Sequence, residues 1–391
     1  MILNMEVFEY SGILFKFKLT KLNYVIHFLL FYAIFDVFVK YKLHFNMEIK
    51  FTSLHQVDHH LNSVEEIDIE NQSEDLINYT QRLITEITEG TSKRKFNFRR
   101  DTTEVRSVLG QFMEGDYSGK GANANRLLDV EKTTQLAIAH LGNEIQKGSL
   151  FQAHIEDGES TIMVISKADQ IQFLDEDDFN LKNGLPYEKK IFKAFLVRFE
   201  AGEAKETFVY DTTTRLATYW WDTFLELDEV YTSEYNTKTA LKLLDSKVLN
   251  NMKKKFPADH TRIRNKAVGY FQSQNQFEMG NFLEATLNDY VPIDNDFPKT
   301  AIIEKIRNLP ERYSFDSQFP IAEDQVTARK VKSKINLTDK VDLVIKENIP
   351  ELDSTISGFL DRENRKYIII RTDTGYEHFK GNSLEISDEE E

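Results

Sequence analysis

Cysteine is absent from the 391 residues, which excludes disulfide staples, thiolate zinc sites and thiol nucleophiles and fits a reducing compartment. An excess of positive charge is also missing. The formal net charge is -15, and because phosphate binding draws on cationic counterion release, an indiscriminate nucleic-acid coat is excluded. Any nucleic-acid contact must come from a local basic face. No G-x-S-x-G, H-E-x-x-H, dinucleotide-fold or kinase signature occurs, and Ser118-Gly119-Lys120-Gly121 lacks the glycine spacing and the hydroxyl of a phosphate-binding loop. No cofactor is expected. A long apolar run is missing too: residues 24–39 are apolar and aromatic except for His27 and Asp36. A spanning helix needs roughly 20 such residues, and Asp36 would be costly in lipid. Two readings of residues 1–46 follow, a membrane anchor or an extension upstream of a working start at Met47, and the second is preferred.

What is present is a globular balance of 41% apolar and 29% charged residues, which rules out wholesale disorder, in a chain long enough for two domains. The chain is organised around residues 173–225. There, branched and aromatic residues at 191–199 predict a buried strand, Gly202 a hairpin turn, and Phe208, Val209 and Tyr210 the returning strand. Thr212 or Thr213 then caps a helix whose Leu216, Tyr219, Trp220, Phe224 and Leu225 recur at helical spacing. Trp220 is expected between that helix and the sheet.

Before this unit, residues 47–51 begin a strand, and Leu76, Tyr79, Leu83, Ile84 and Ile87 mark a helix ending at Gly90. Val105, Val108, Leu109 and Phe112 mark a second helix. A third is expected over residues 127–145 with Leu128, Leu136, Ile138, Ala139, Leu141 and Ile145 inward, followed by a hairpin turning at Asp157-Gly158. His55, His59 and His60 read either as a polar strand end or as metal ligands lacking a third partner by spacing. Lys93-Arg94-Lys95, Arg99 and Arg100 interleave with Phe96 and Phe98, which suits either base stacking over phosphates or cations at a helix C-terminus. The acidic residues Asp175, Glu176, Asp177 and Asp178 could hold magnesium in a nuclease, but consecutive loop residues cannot all face one ion, so a solvated connection is the expectation.

Beyond Glu229 the pattern is helical. A helix over 235–252 ends at Lys253, Lys254 and Lys255, and Asp259 or Thr261 caps the next, placing Arg262, Arg264 and Lys266 near its start. Cations gain nothing from the dipole there, so these six are the leading phosphate-contact candidates. Arg329, Lys330 and Lys332, with Lys334 beside them, form a second basic segment. Strands at 341–346, 357–361 and 366–371 follow. The fold class is therefore α+β: a mixed domain at 47–228 with a largely antiparallel sheet flanked by helices, a mainly helical domain at 229–379 closed by a small hairpin, and an acidic tail at 380–391.

The spacing Tyr219-Trp220-Trp221-x-x-Phe224-Leu225, the Leu54-His55-Gln56 segment and the closing order of basic segment, Leu343-Val344-Ile345 strand and hairpin resemble the NdpA-like family of bacterial nucleoid-associated proteins over residues 47–379. The resemblance implies a non-enzymatic, cytoplasmic protein of the nucleoid that takes part in chromosome organisation. It would act by binding DNA, largely without sequence preference, or alternatively by joining a DNA-bound partner such as a topoisomerase. The expected DNA contacts are Lys253, Lys254, Lys255, Arg262, Arg264, Lys266, Arg329, Lys330 and Lys332.

Overall fold

A computed structural model describes residues 5–10, 13–18, 47–69, 73–90, 93–142, 144–185, 192–211 and 216–381. The apolar run at 24–39, the candidate caps Thr212 and Thr213 and the acidic tail from 382 lie outside them. Strands β1 (Met5–Tyr10) and β2 (Ile13–Lys18) pair antiparallel as a separate hairpin.

The sheet is built from β3 (Met47–Asp58), β4 (Ser63–Ile67), β5 (Arg94–Phe98), β6 (Gly148–Asp157), β7 (Ser160–Asp169), β10 (Phe192–Glu200), β11 (Glu203–Asp211) and β12 (Leu227–Glu229). Between β7 and β10 the chain makes a separate hairpin, β8 (Ile171–Leu174) and β9 (Leu181–Gly184). The eight strands run in the order β12-β5-β11-β10-β7-β6-β3-β4, and each neighbouring pair is antiparallel. Ala201 and Gly202 (φ 50° and 81°) turn β10 into β11, and Gly158 (φ 63°) turns β6 into β7, as the left-handed demands of tight hairpins require.

Both faces of this sheet are covered. Successive side chains of a strand point to opposite sides, so Leu150, Met163, Ile165, Phe195 and Val197 pack under α2 (Glu104–Met113) and α3 (Lys120–Ile138). Phe151, Ala153, Ile155, Val164 and Leu196 pack instead on Leu83, Ile84 and Ile87 of α1 (Glu74–Glu89). Burial on both sides explains the apolar run Ala194 to Val197 in β10. The helix expected after β11 is a single π-helical turn, Tyr219–Phe224, which carries Trp220 and Phe224 fully into the core. Their rings lie 4.9 Å apart, and truncating such a residue to alanine costs roughly 3–5 kcal/mol.

Helix α3 departs from its sequence reading. It begins at Lys120, turns through a short 3-10 segment at Ala139–Leu141, and leaves Leu136 and Leu141 exposed. Its buried face contains Asn123 and Glu131. Asn123 donates to Gln152 of β6 at 2.7 Å, and Glu131 receives Lys167 of β7 at 2.6 Å. Partners on the sheet, invisible in an apolar pattern, set the helix's rotation.

The second half has its own core around Leu244, Val248, Ile263, Phe271, Phe277, Phe282 and Phe319. Helix α4 (Ser233–Leu243) continues through a π-helical turn, Leu244–Leu249, and α5 spans Pro257–Ser273. Proline is the first residue of α5, where its missing N–H is no loss, so Asp259 and Thr261 sit inside the helix instead of capping it. Asp259 is buried and accepts Tyr290 Oη and the Ile293 amide, each at 2.7 Å. Strands β13 (Gln276–Glu278) and β14 (Gln318–Pro320) pair within this half. The chain closes with two hairpins where one is expected, because residues 333–338 of the basic segment are themselves a strand: β15 (Ser333–Thr338) with β16 (Val341–Ile345), then β17 (Ile356–Leu360) with β18 (Lys366–Ile370).

A buried polar hub joins the halves. Asp316 accepts the Lys95 amide at 2.8 Å and Asn236 Nδ2 at 2.7 Å, and Lys93 N donates to Ser317 Oγ at 2.8 Å. Arg94, almost wholly buried, reaches Glu229 at 2.8 Å. Burial raises the Asp316 carboxyl to about 6.

Candidate nucleic-acid interface

The cations of the second half are placed by α4, α5 and the turn before β15. Lys253, Lys254 and Lys255 follow the last turn of the α4 segment and are exposed, at the negative end of its dipole, where cations are favoured. Lys253 Nζ lies 3.4 Å from the carbonyl oxygen of Lys334, and Lys255 Nζ lies 4.9 Å from the Phe256 ring.

Arg264 ties this region together from within. Its guanidinium donates to Asp245 at 3.0 and 3.2 Å, to the Val331 carbonyl at 2.9 Å and to the Lys330 carbonyl at 3.0 Å. Its donors are spent on holding residues 330–332 against α5, so Lys253, Arg264 and the second basic segment are neighbours. Arg262 and Lys266 point elsewhere. At 3.6 residues per turn, two steps along a helix reverse the direction of a side chain. Arg262 pairs with Asp353 at 2.7 Å, and Lys266 lies 5.5 Å from the Tyr290 ring. The six leading candidates thus divide between two faces.

In the second segment Arg329 and Lys332 are exposed, whereas Lys330 Nζ donates to the Gln325 carbonyl at 2.7 Å. Burial, with the Lys238 charge next, holds Lys330 below the usual ammonium range. Lys238 was not singled out from the sequence, nor was Lys242. Both are exposed on α4, and their four-residue spacing, which puts them on one helical face, was the available signal. Lys253, Lys254, Lys255, Lys266, Arg329 and Lys332 have no carboxylate partner among the described residues. His260, buried beneath this region, is pushed down to about 4 by burial and then by the Lys253 and Arg264 charges.

Other candidate groups are engaged internally. Residues 94–98 form a strand, not a helix end, and Phe96 is in the core. Arg94 pairs with Glu229, Arg99 with Asp222 at 2.6 Å and Asp228 at 3.1 Å, and Arg100 with Glu226 at 3.3 Å. That alternation of basic and aromatic residues builds the strand next to the sheet edge, between β12 and β11, and its link to the second half. Asp175 and Asp178 share Lys182 at 2.8 and 3.2 Å at the tip of the β8–β9 hairpin. His55 and His59 are buried on β3 and the turn after it, and His60 meets Glu144 at 2.9 Å. Among the described residues no three His, Asp or Glu side chains converge as metal ligands, and no helix is long and apolar enough to cross a membrane.

The family described as nucleoid-associated protein YejK matches residues 53–370, from the middle of β3 to the end of β18. The chain belongs to this family. A search of curated proteins finds no match. The YejK family assignment establishes a nucleoid-associated protein and agrees with the likeness read from residues 47–379. The match takes in the sheet from residue 53 onward, the hub and every cation discussed above.

Proposed function

We propose that this YejK-family chain binds DNA directly through phosphate contacts made by Lys253, Lys254, Lys255, Arg329 and Lys332, with little sequence preference and no chemical step. The observation that carries this reading is the joining of two sequence-distant basic segments through Arg264. In an acidic chain, where Arg262, Arg264 and Lys334 nearby are paired to carboxylates, these five have no carboxylate partner among the described residues. Arg264 and Lys330 act as positioning residues, and Arg262 and Lys266 form a flanking contact on the next face of α5. Four of the five contacts are lysines and only Arg329 carries a planar guanidinium, so backbone contact is the expected mode.

Fluorescence anisotropy with unrelated duplexes tests the proposal. Similar affinities are expected for all of them, with a steep fall as salt rises. Each phosphate contact removed lowers the log–log salt slope by roughly 0.9, so alanine at Lys253, Lys254 and Lys255 together takes off about 3. Unchanged retention in that variant would place the contacts elsewhere on the chain, and no binding by the purified protein would favour attachment through a DNA-bound protein, such as a topoisomerase, in place of direct binding.

A further inference from the structure

We infer that the chain self-associates as a closed dimer, in which the β8–β9 hairpin of each copy docks on the β17–β18 hairpin of the other. Among the described residues both are two-stranded and join no larger sheet. Such isolated hairpins are marginal in water unless an apolar face is covered, and both carry uncovered apolar faces. Leu174 and Leu181 are cross-strand partners at 57% and 70% exposure, and Phe179 stands 73% exposed at the tip. On the other hairpin, Leu360, Ile368 and Ile370 share one side at 56%, 47% and 43% exposure.

The shapes and charges of the two surfaces are complementary. Gly358 is the register partner of Ile368, and a Cβ added there would meet nothing within 4 Å. This leaves a shallow socket between the Ile356–Ile370 and Leu360–Lys366 pairs, and an aromatic ring laid over a strand glycine fills such a gap. Phe179 of the second copy is the ring proposed for it. The β8–β9 tip carries Asp175, Glu176, Asp177 and Asp178 against Lys182, and Glu176 and Asp177 have no cationic partner among the described residues. The β17–β18 hairpin and its flank carry Arg362, Arg365, Lys366 and Arg371 against Asp361 and Glu363. Lys366 and Arg371 have no carboxylate partner among the described residues.

Like hairpins would repel, so the pairing is between unlike ones. A twofold axis uses the contact twice and closes the assembly. That doubling matters because stable interfaces bury about 1,200–2,000 Å², more than one hairpin laid on another supplies.

Sedimentation velocity on the full chain over a concentration series tests this. A monomer–dimer equilibrium is expected. Asp177→Lys and Lys366→Glu should each weaken it by roughly tenfold, and the two together should restore it, because the reversed charges again attract. Phe179→Gly keeps the fold testable: Phe179 has φ 54°, which glycine adopts without strain, so this variant should lose dimer while its melting temperature holds. A monomer at every concentration, a ladder of larger species, a dimer indifferent to these changes, or a double variant no better than the singles would overturn the proposal.

Discussion

Lys167 shows what a single side chain can demand of its surroundings. It is wholly buried, 2.6 Å from Glu131 and 3.0 Å from Asp169, and it donates to the Gln146 carbonyl at 2.6 Å. Despite burial, its neighbours Tyr219, Glu131 and Asp169 raise its pKa, so it stays protonated. Lys167→Met should destabilise by about 3–5 kcal/mol in urea unfolding, because it strands a buried carboxylate. The pair Lys167→Met with Glu131→Leu should recover much of that loss. Two other buried groups act through pH with opposite signs. Asp316 is raised to about 6, so the folded state takes up its proton first and stability falls as pH rises from about 4 to about 6. His260 is lowered to about 4, so the unfolded state takes up its proton first and stability falls as pH drops from about 6.5 towards 4. The two slopes oppose each other across one window. Denaturation series should therefore show Asp316→Asn losing stability in acid more steeply than the parent, and His260→Gln gaining it. Parallel profiles for all three proteins would contradict this. Neither group was marked by sequence, since a lone Asp or His says nothing of what folds over it.

At the scale of elements, legibility followed burial pattern. Strand β10 and the β6–β7 hairpin were readable because their faces are apolar and their turns carry Asp157-Gly158 and Ala201-Gly202. Helix α3 was legible only in part: residues 127–138 are helical as expected, but its start and rotation were not readable, because its inward face is partly polar and the glycines at 119 and 121 look like a loop. The start of α5 was missed for a related reason: Asp259 has the chemistry of a cap but is occupied by Tyr290 and the turn at 293–294. Gly148 is the first residue of β6, where a Cβ would lie 2.4 Å from the Ala168 carbonyl oxygen. That oxygen is backbone in the neighbouring strand and cannot turn away. Gly148→Ala should thus cost about 1–3 kcal/mol through overpacking. Gly158→Ala, with open space around it but φ 63°, should cost roughly 1 kcal/mol of backbone strain alone. Thermal unfolding of the two variants should rank them in that order.

For the whole molecule, the candidate interface was legible only in part. The basic segments stand out in an acidic chain, yet the sequence does not tell which cations are spent on neighbours. Arg94, Arg99, Arg100 and Arg264 are spent, whereas Lys253, Lys254 and Lys255 are not. The same reasoning bears on how the halves behave together. Their cores are separate clusters, so each half could in principle unfold alone, but the hub around Asp316 and Arg94 is buried and polar. Opening it would take the Lys93 and Lys95 amides from their partners on residues 316–317 and would part Arg94 from Glu229, at about 0.5–1.5 kcal/mol net for each neutral bond and about 1.5–3 for the charged one. Cooperative unfolding of the two halves follows, with one calorimetric transition at neutral pH. Arg94→Met removes the charge that Glu229 and Asp316 share, and Asp316→Ala removes the acceptor of the Lys95 amide and Asn236. Either should resolve the transition into two, with the lower one moving independently of substitutions in the other half. A single transition in both variants would show that packing outside the hub carries the coupling.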